Sequence, residues 1–210
     1  MPRKSTDPRV IAPRQSRSRA TMERIVTATE ELLAFKPFEQ ITITEISKRA
    51  GSAPTAIYAR FSDKDALLFE VHERFKQRIV DAIAVAFDSP ERADWTDEKF
   101  VSTAVSELVE LYDTHHHMLR SVLLADNTVM YEQAAELARA ISESLAARLL
   151  SSIEDEVRDT AERDLDFAVR AALALLQQSA LFADLPPTRF TTDADELSQR
   201  ITNMVLAAAQ

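Results

Sequence analysis

The chain has 210 residues, 46% hydrophobic and 28% charged, the balance of an ordinary globular protein with length enough for a proper core. It has no cysteine, which excludes disulfides and thiolate metal sites, and one glycine, which excludes the Rossmann, P-loop and nucleophile-elbow motifs. The formal charge of −9 hides an asymmetry: residues 1–64 carry twelve Lys/Arg against seven Asp/Glu, and residues 65–210 carry thirteen against twenty-seven.

The N-terminus is basic and interrupted by three prolines, with no apolar stretch of the kind a secretory signal needs. Residues 1–16 are expected to be disordered without a partner. Two readings stand for them: a solvated tail, or a basic arm whose Arg14, Arg17 and Arg19 reach DNA phosphates or the minor groove. From about Arg17 to Phe35 the pattern becomes helical. Met22, Ile25, Val26, Thr29, Leu32 and Leu33 form one stripe of a 3.6-residue period, and Phe38 is expected to complete a small core.

The stretch Ile41–Leu67 carries the densest local signals. Thr42 and Glu45 have capping-box spacing, and Ile43, Ile46 and Ala50 give a short helix one apolar face. Gly51 comes next, where a left-handed residue ends a helix. Pro54 suits the first turn of the next helix, whose buried side is Ile57 and Phe61. Ala53 offers no side-chain cap, so the second helix lacks one unless Ser52 fills that place. Helix, glycine turn, helix is the arrangement of a helix-turn-helix, here about 42–61, whose second helix enters the major groove.

Thr42, Ile46, Ala50-Gly51, Ile57-Tyr58, Phe61, Lys64 and Leu67 together resemble the DNA-binding domain of the TetR family of bacterial transcriptional regulators, from about Met22 to Glu73. The sequence departs from the family pattern at Pro37, Ser52, Ala53 and Thr55. The resemblance implies an all-α protein: a basic arm at 1–16, a DNA-binding head at 17–75 and a helical effector-binding and dimerisation domain at 76–210. On the recognition helix, Thr55, Ala56, Tyr58, Ala59 and Arg60 are left facing double-stranded DNA. Tyr58 and Lys64 match positions that touch phosphate in the family, Thr44 can do so by hydroxyl and backbone N–H, and Arg60 is the candidate for reading guanine.

A helix capped by Ser62 or Asp63 then runs to about Phe87, with Leu68, Val71, Phe75, Ile79 and Ala82 as its stripe. It joins the head to the rest of the chain, and Asp88-Ser89-Pro90 ends it. Five more helices are expected, about nine in all. Thr96 caps the first of these, with Val101, Ala104, Val105, Leu108, Leu111 and Tyr112 inward. A short one spans about His116 to Leu124. Asn127 or Thr128 opens a long one with Met130, Ala134, Ala138, Ile141, Leu145 and Leu149 buried. Another spans about Arg158 to Phe182, and Pro186-Pro187 separates it from the last. The last helix has a capping box at Asp193 and Glu196, with Leu197, Ile201, Met204, Val205 and Ala208 inward.

Residues 168–176, AVRAALALL, are apolar almost all round. They make either an internal core helix or, as the resemblance implies, part of a homodimer interface over about 158–209. His115, His116 and His117 point about 100° apart on a helix and do not share one metal; a helix joint is the plainer reading. Trp95 suits either core or pocket. With Tyr112, His116 and Met130 it makes up the candidate lining for an unidentified small-molecule effector. The function expected is a cytoplasmic, dimeric repressor of a near-palindromic operator, released by that effector, without metal or cofactor. An interaction module answering to a protein partner is the alternative; no acid/base pair or cofactor loop favours an enzyme. No apolar run reaches the ~18–20 residues of a membrane span.

Overall fold

A computed structural model describes residues 16–125, 127–183 and 188–210. The basic segment with Arg14, the side chain of Arg17 and the Pro186-Pro187 break lie outside the described residues. Ten α-helices make up the described chain: α1 (Ser16–Leu33), α2 (Ile43–Ala50), α3 (Pro54–Tyr58), α4 (Lys64–Asp88), α5 (Pro90–Ala93), α6 (Asp97–Thr114), α7 (His116–Leu124), α8 (Thr128–Leu149), α9 (Asp155–Leu181) and α10 (Ala194–Ala208). One more helix is present than the sequence leads one to expect. It is α5, a single turn opened by Pro90, too short to leave a periodic signal. The fold is all-α.

The described residues fall into two compact units, one within residues 1–78 and 117–130 and one within residues 79–116 and 131–210. In the first, or head, α1 packs against α2 and α3. Met22, Ile25, Val26, Thr29 and Leu33 are buried as the stripe requires, and Thr29 satisfies its hydroxyl on the Ile25 carbonyl at 2.8 Å. Phe38, Ile46, Ile57, Phe61, Leu68 and Phe75 complete this core. Salt bridges brace α1 to α4: Arg74 reaches Glu30 at 3.0 Å and Arg78 reaches the same carboxylate at 2.8 Å. Helix α7 belongs to the head as well, and Ser121 Oγ accepts from the Phe38 N–H at 3.2 Å.

The second unit is built on α6, α9 and α10, which pack on one another around Phe100, Val109, Leu165, Val169, Leu176, Ile201 and Val205. Phe87 meets Phe100 edge-on, ring centres 5.0 Å apart. Two alanines expected inside, Ala82 and Ala134, are exposed, while Gln133 and Ser142 on α8 are buried. Alanine loses little in either environment, so periodicity places it poorly. On α9 the inward face is Ala161, Leu165, Ala168, Val169, Ala172 and Leu176, and the opposite face leaves Phe167, Ala174, Leu175 and Phe182 exposed in the single chain.

Candidate nucleic-acid interface

The helix-turn-helix is held by local chemistry that can be traced bond by bond. Thr42 Oγ1 accepts from the Glu45 N–H at 3.2 Å, and Glu45 Oε2 accepts from the Thr42 N–H at 2.8 Å, the two halves of a capping box. Lys36 reaches Glu45 Oε1 at 2.6 Å. That ammonium contact, with the bonds from the Thr42 N–H and hydroxyl next in weight, holds the Glu45 carboxyl well below its ordinary value, at about 2. At the other end of α2, Gly51 sits at φ 59°, ψ 40°. The Ser52 N–H bonds to the Ser47 carbonyl at 3.0 Å and the Gly51 N–H to that of Lys48, a Schellman motif. Gly51 is the only described residue at positive φ.

Helix α3 begins on Ala53 without a side-chain cap. Ser52 does not supply one: its hydroxyl points back to the Ala50 carbonyl. Pro54 supplies the first helical residue instead, and buried Ile57 and Phe61 hold the helix down. The first helix ends at Leu33 without a left-handed residue, and Pro37 comes after it in extended geometry.

With those faces fixed, Thr55, Tyr58 and Ala59 are exposed, Tyr58 by 58%, and Ala56 is half-buried. Thr44 is exposed in the first turn of α2. Lys48, four residues on and also exposed, shares its face of that helix. It was not among the residues expected there, although its helical spacing from Thr44 marks it. Arg19 is exposed on α1. The two remaining candidates are engaged within the head. Lys64 Nζ donates to the Phe38 carbonyl, lies 3.5 Å from that of Glu39 and sits 4.4 Å from the centre of the Phe38 ring. Burial pushes its pKa below the ordinary lysine value, against the opposing charges of Glu39 and Asp65. Arg60 donates to the Ala56 carbonyl at 2.7 Å and to Ser18 through two further bonds.

Of the four residues suggested for an effector pocket, Trp95, Tyr112 and His116 belong to the second unit and Met130 to the head. Trp95 precedes α6, flanked by the cations of Lys99 at 4.1 Å and Arg92 at 5.2 Å, and its carbonyl accepts from Arg148 at 2.8 Å. Tyr112 lies near the far end of α6, roughly 24 Å along the axis from Thr96 at 1.5 Å per residue. It packs against the second unit's core, and burial raises its phenol to about 12. His116 stands at the joint that opens α7, its Nδ1 2.6 Å from the Asp113 carbonyl oxygen. Met130 is buried in the head, beside a hollow of about 340 Å³ that Phe38, Lys64 and Ser121 also line. A groove of about 650 Å³ lies between α8 and α9 of the second unit and is charged, with Ser142, Arg158, Glu162, Arg163 and Asp166 in its walls. Among the described residues no group of three or more His, Asp or Glu is placed to hold a metal ion, and no helix is long and apolar enough to cross a membrane.

Residues 25–71 match the profile of the bacterial regulatory proteins of the tetR family. The HTH-type transcriptional regulator EthR of Mycobacterium tuberculosis is 26% identical over 161 residues, 76% of this chain and 73% of that protein. Among solved structures, a tetR-family transcriptional regulator from Streptomyces coelicolor superposes with TM-score 0.65 at 16% identity, covering 91% of this chain and 80% of the other. The regulator FadR of Bacillus subtilis, solved in complex with stearoyl-CoA, superposes with TM-score 0.58 at 17% identity, covering 89% and 98%.

Proposed function

On the premise that residues 25–71 are a DNA-binding head of the tetR family, we propose that the whole chain is a cytoplasmic transcriptional regulator, not an enzyme, binding a near-palindromic operator as a homodimer. The observation that carries the reading is the exposed row Thr55, Tyr58 and Ala59 on a helix opened by Pro54 and set by a left-handed Gly51. Such a helix enters the major groove and reads base edges, with hydroxyls and ammonium groups on the flanking phosphates. Thr55 and Ala56 suit a thymine methyl. Tyr58, Thr44, Lys48, Arg19 and the basic residues ahead of α1 suit phosphates, and Lys64 joins them only by releasing the Phe38 carbonyl. The acidic second part of the chain then stands away from the duplex.

Dimerisation is supported by the apolar face that α9 leaves open: Phe167, Leu175 and Phe182 are 71%, 38% and 43% exposed in the single chain. A pair of such faces related by a two-fold buries this surface and brings two recognition helices to two half-sites. A small-molecule effector acting on the second part of the chain, within about 90–180, would release the operator. FadR's complex with stearoyl-CoA is a precedent for ligand binding in a protein of this fold. A coupling of about 1–3 kcal/mol between effector and operator corresponds to a 5- to 150-fold change in affinity.

Selection of bound sequences from a random duplex pool tests the reading. Enrichment of a near-palindrome supports it. Enrichment of nothing, by protein shown to be folded and at low salt, contradicts it.

A further inference from the structure

Helix α3 is short, and its C-terminal end is unusual. The Arg60 N–H turns to the Ile57 carbonyl at 2.9 Å rather than to that of Ala56, so the Ala56 carbonyl loses its regular partner. The Arg60 side chain replaces it: Nη1 donates to the Ala56 oxygen at 2.7 Å. The other edge of the same guanidinium closes on the first turn of α1, with Nε donating to the Ser18 carbonyl at 3.3 Å and Nη2 to Ser18 Oγ at 3.3 Å. All three guanidinium nitrogens therefore donate inside the head, and the Nε/Nη2 fork, one of the edges that can pair with guanine O6 and N7, is closed around Ser18.

We infer that Arg60 is a positioning residue for DNA recognition: it ties the C-terminal end of the recognition helix to the first turn of α1 and does not itself read a base. This role rests on the DNA-binding reading of the head. A helix of five residues without an N-terminal side-chain cap has no independent stability, so its orientation depends on what holds it. Ile57 holds its underside, and Arg60 holds its end. The same clamp fixes the turn of α1 that lies between the basic segment and Arg19, so one side chain sets two parts of the DNA-facing surface. Lysine replaces it only in part, because one ammonium lacks the planar fork that spans Ser18 and Ala56 together.

The test uses full-length protein, the duplex enriched by the wild type, and the variants Arg60→Ala, Arg60→Lys and Ser18→Ala. Each is compared by sequence selection and by affinity across a salt series, at a temperature where circular dichroism shows it folded. Arg60→Ala is expected to lose about tenfold in affinity, the scale of charge-assisted hydrogen bonds, while selecting the same bases at every position and keeping the wild-type salt slope. Arg60→Lys recovers affinity only in part, and Ser18→Ala, which removes one hydroxyl and leaves the carbonyl bond, loses about threefold. Relaxed preference at one symmetric pair of positions in Arg60→Ala would make Arg60 a base reader and overturn the inference. A shallower salt slope, by about 0.9 per lost contact, with full rescue in Arg60→Lys would make it a phosphate contact and overturn it too. Unchanged affinity in both Arg60→Ala and Ser18→Ala would show that the clamp has no part in recognition. If Arg60→Ala does not fold, Ser18→Ala and Arg60→Lys decide between these outcomes. Failure of the wild type to enrich any sequence would instead remove the DNA-binding reading, and the inference with it.

Discussion

Replacing Gly51 by alanine isolates a purely conformational cost. The residue lies at φ 59° and ψ 40°, in the left-handed region, and a Cβ added there meets no heavy atom within 4 Å. Nothing has to move, so the penalty is that of an L-residue held left-handed, about 1–2 kcal/mol. Part of it is offset because alanine restricts the unfolded chain by about 0.4–1 kcal/mol more than glycine does. The net loss is about 1 kcal/mol, or about fivefold in the folded-to-unfolded ratio of the head. Asparagine tolerates this conformation better and should lose less. The single tryptophan, Trp95, lies in the second unit, so its fluorescence does not report on the head. Hydrogen exchange does: the Ile46 N–H bonded to the Thr42 carbonyl and the Phe61 N–H bonded to that of Ile57 sit on either side of the turn. Their protection should fall about fivefold in Gly51→Ala. A loss above about 3 kcal/mol, or a leucine variant much worse than alanine, would mean that Gly51 provides close approach and would refute the conformational account.

The same geometry sets further outcomes. Tyr58→Phe removes only the exposed phenolic hydroxyl and should weaken operator binding a few-fold, about the worth of one hydrogen bond, without moving the melting temperature; both are read from an anisotropy titration and a thermal melt. Glu45 is held at about 2 in the folded head against an ordinary 4.5. A depressed carboxyl contributes stability that is complete above the ordinary value and is lost as the pH falls toward the folded one. Acid unfolding of the head should therefore steepen between about pH 4.5 and 2, and Glu45→Gln should flatten that window in exchange measured across it. Phe100→Ala empties a fully buried position in the second unit and should cost about 3–5 kcal/mol, measured by urea unfolding with Trp95 as the probe. Phe167→Glu places a charge on the open face of α9 and should shift sedimentation toward monomer, with the head's melting unchanged.

Much of the head was legible because its determinants are local. The Thr42–Glu45 box, the left-handed Gly51 and Pro54 at a helix start are each fixed by neighbours within a few residues. The stripe of α1 was legible because that helix buries one face against α2 and α3. Arg60 and Lys64 were not legible in the same way. The partner of Arg60, Ser18, lies 42 residues away, and the Phe38 carbonyl lies 26 residues from Lys64. Periodicity carries no information about such contacts. The same holds for α7, whose Ser121 meets Phe38 across 83 residues of sequence and belongs to the head, not to the unit that surrounds it in the chain. In α6 the buried set also includes Phe100 and Val109, because both α9 and α10 pack on that helix and widen the face that must be apolar.

Titrating the protein onto the enriched duplex and onto a scrambled duplex of equal length, from about 50 to 200 mM salt, tests the central claim most directly. A specific regulator should bind its duplex at least about 10³-fold more tightly than the scrambled one, with two chains per duplex, and both affinities should fall linearly on a log–log salt plot. Equal, weak binding to both duplexes across the salt range would contradict it: the basic head would then be attracted to DNA by charge alone, and the exposed face of α3 would read nothing.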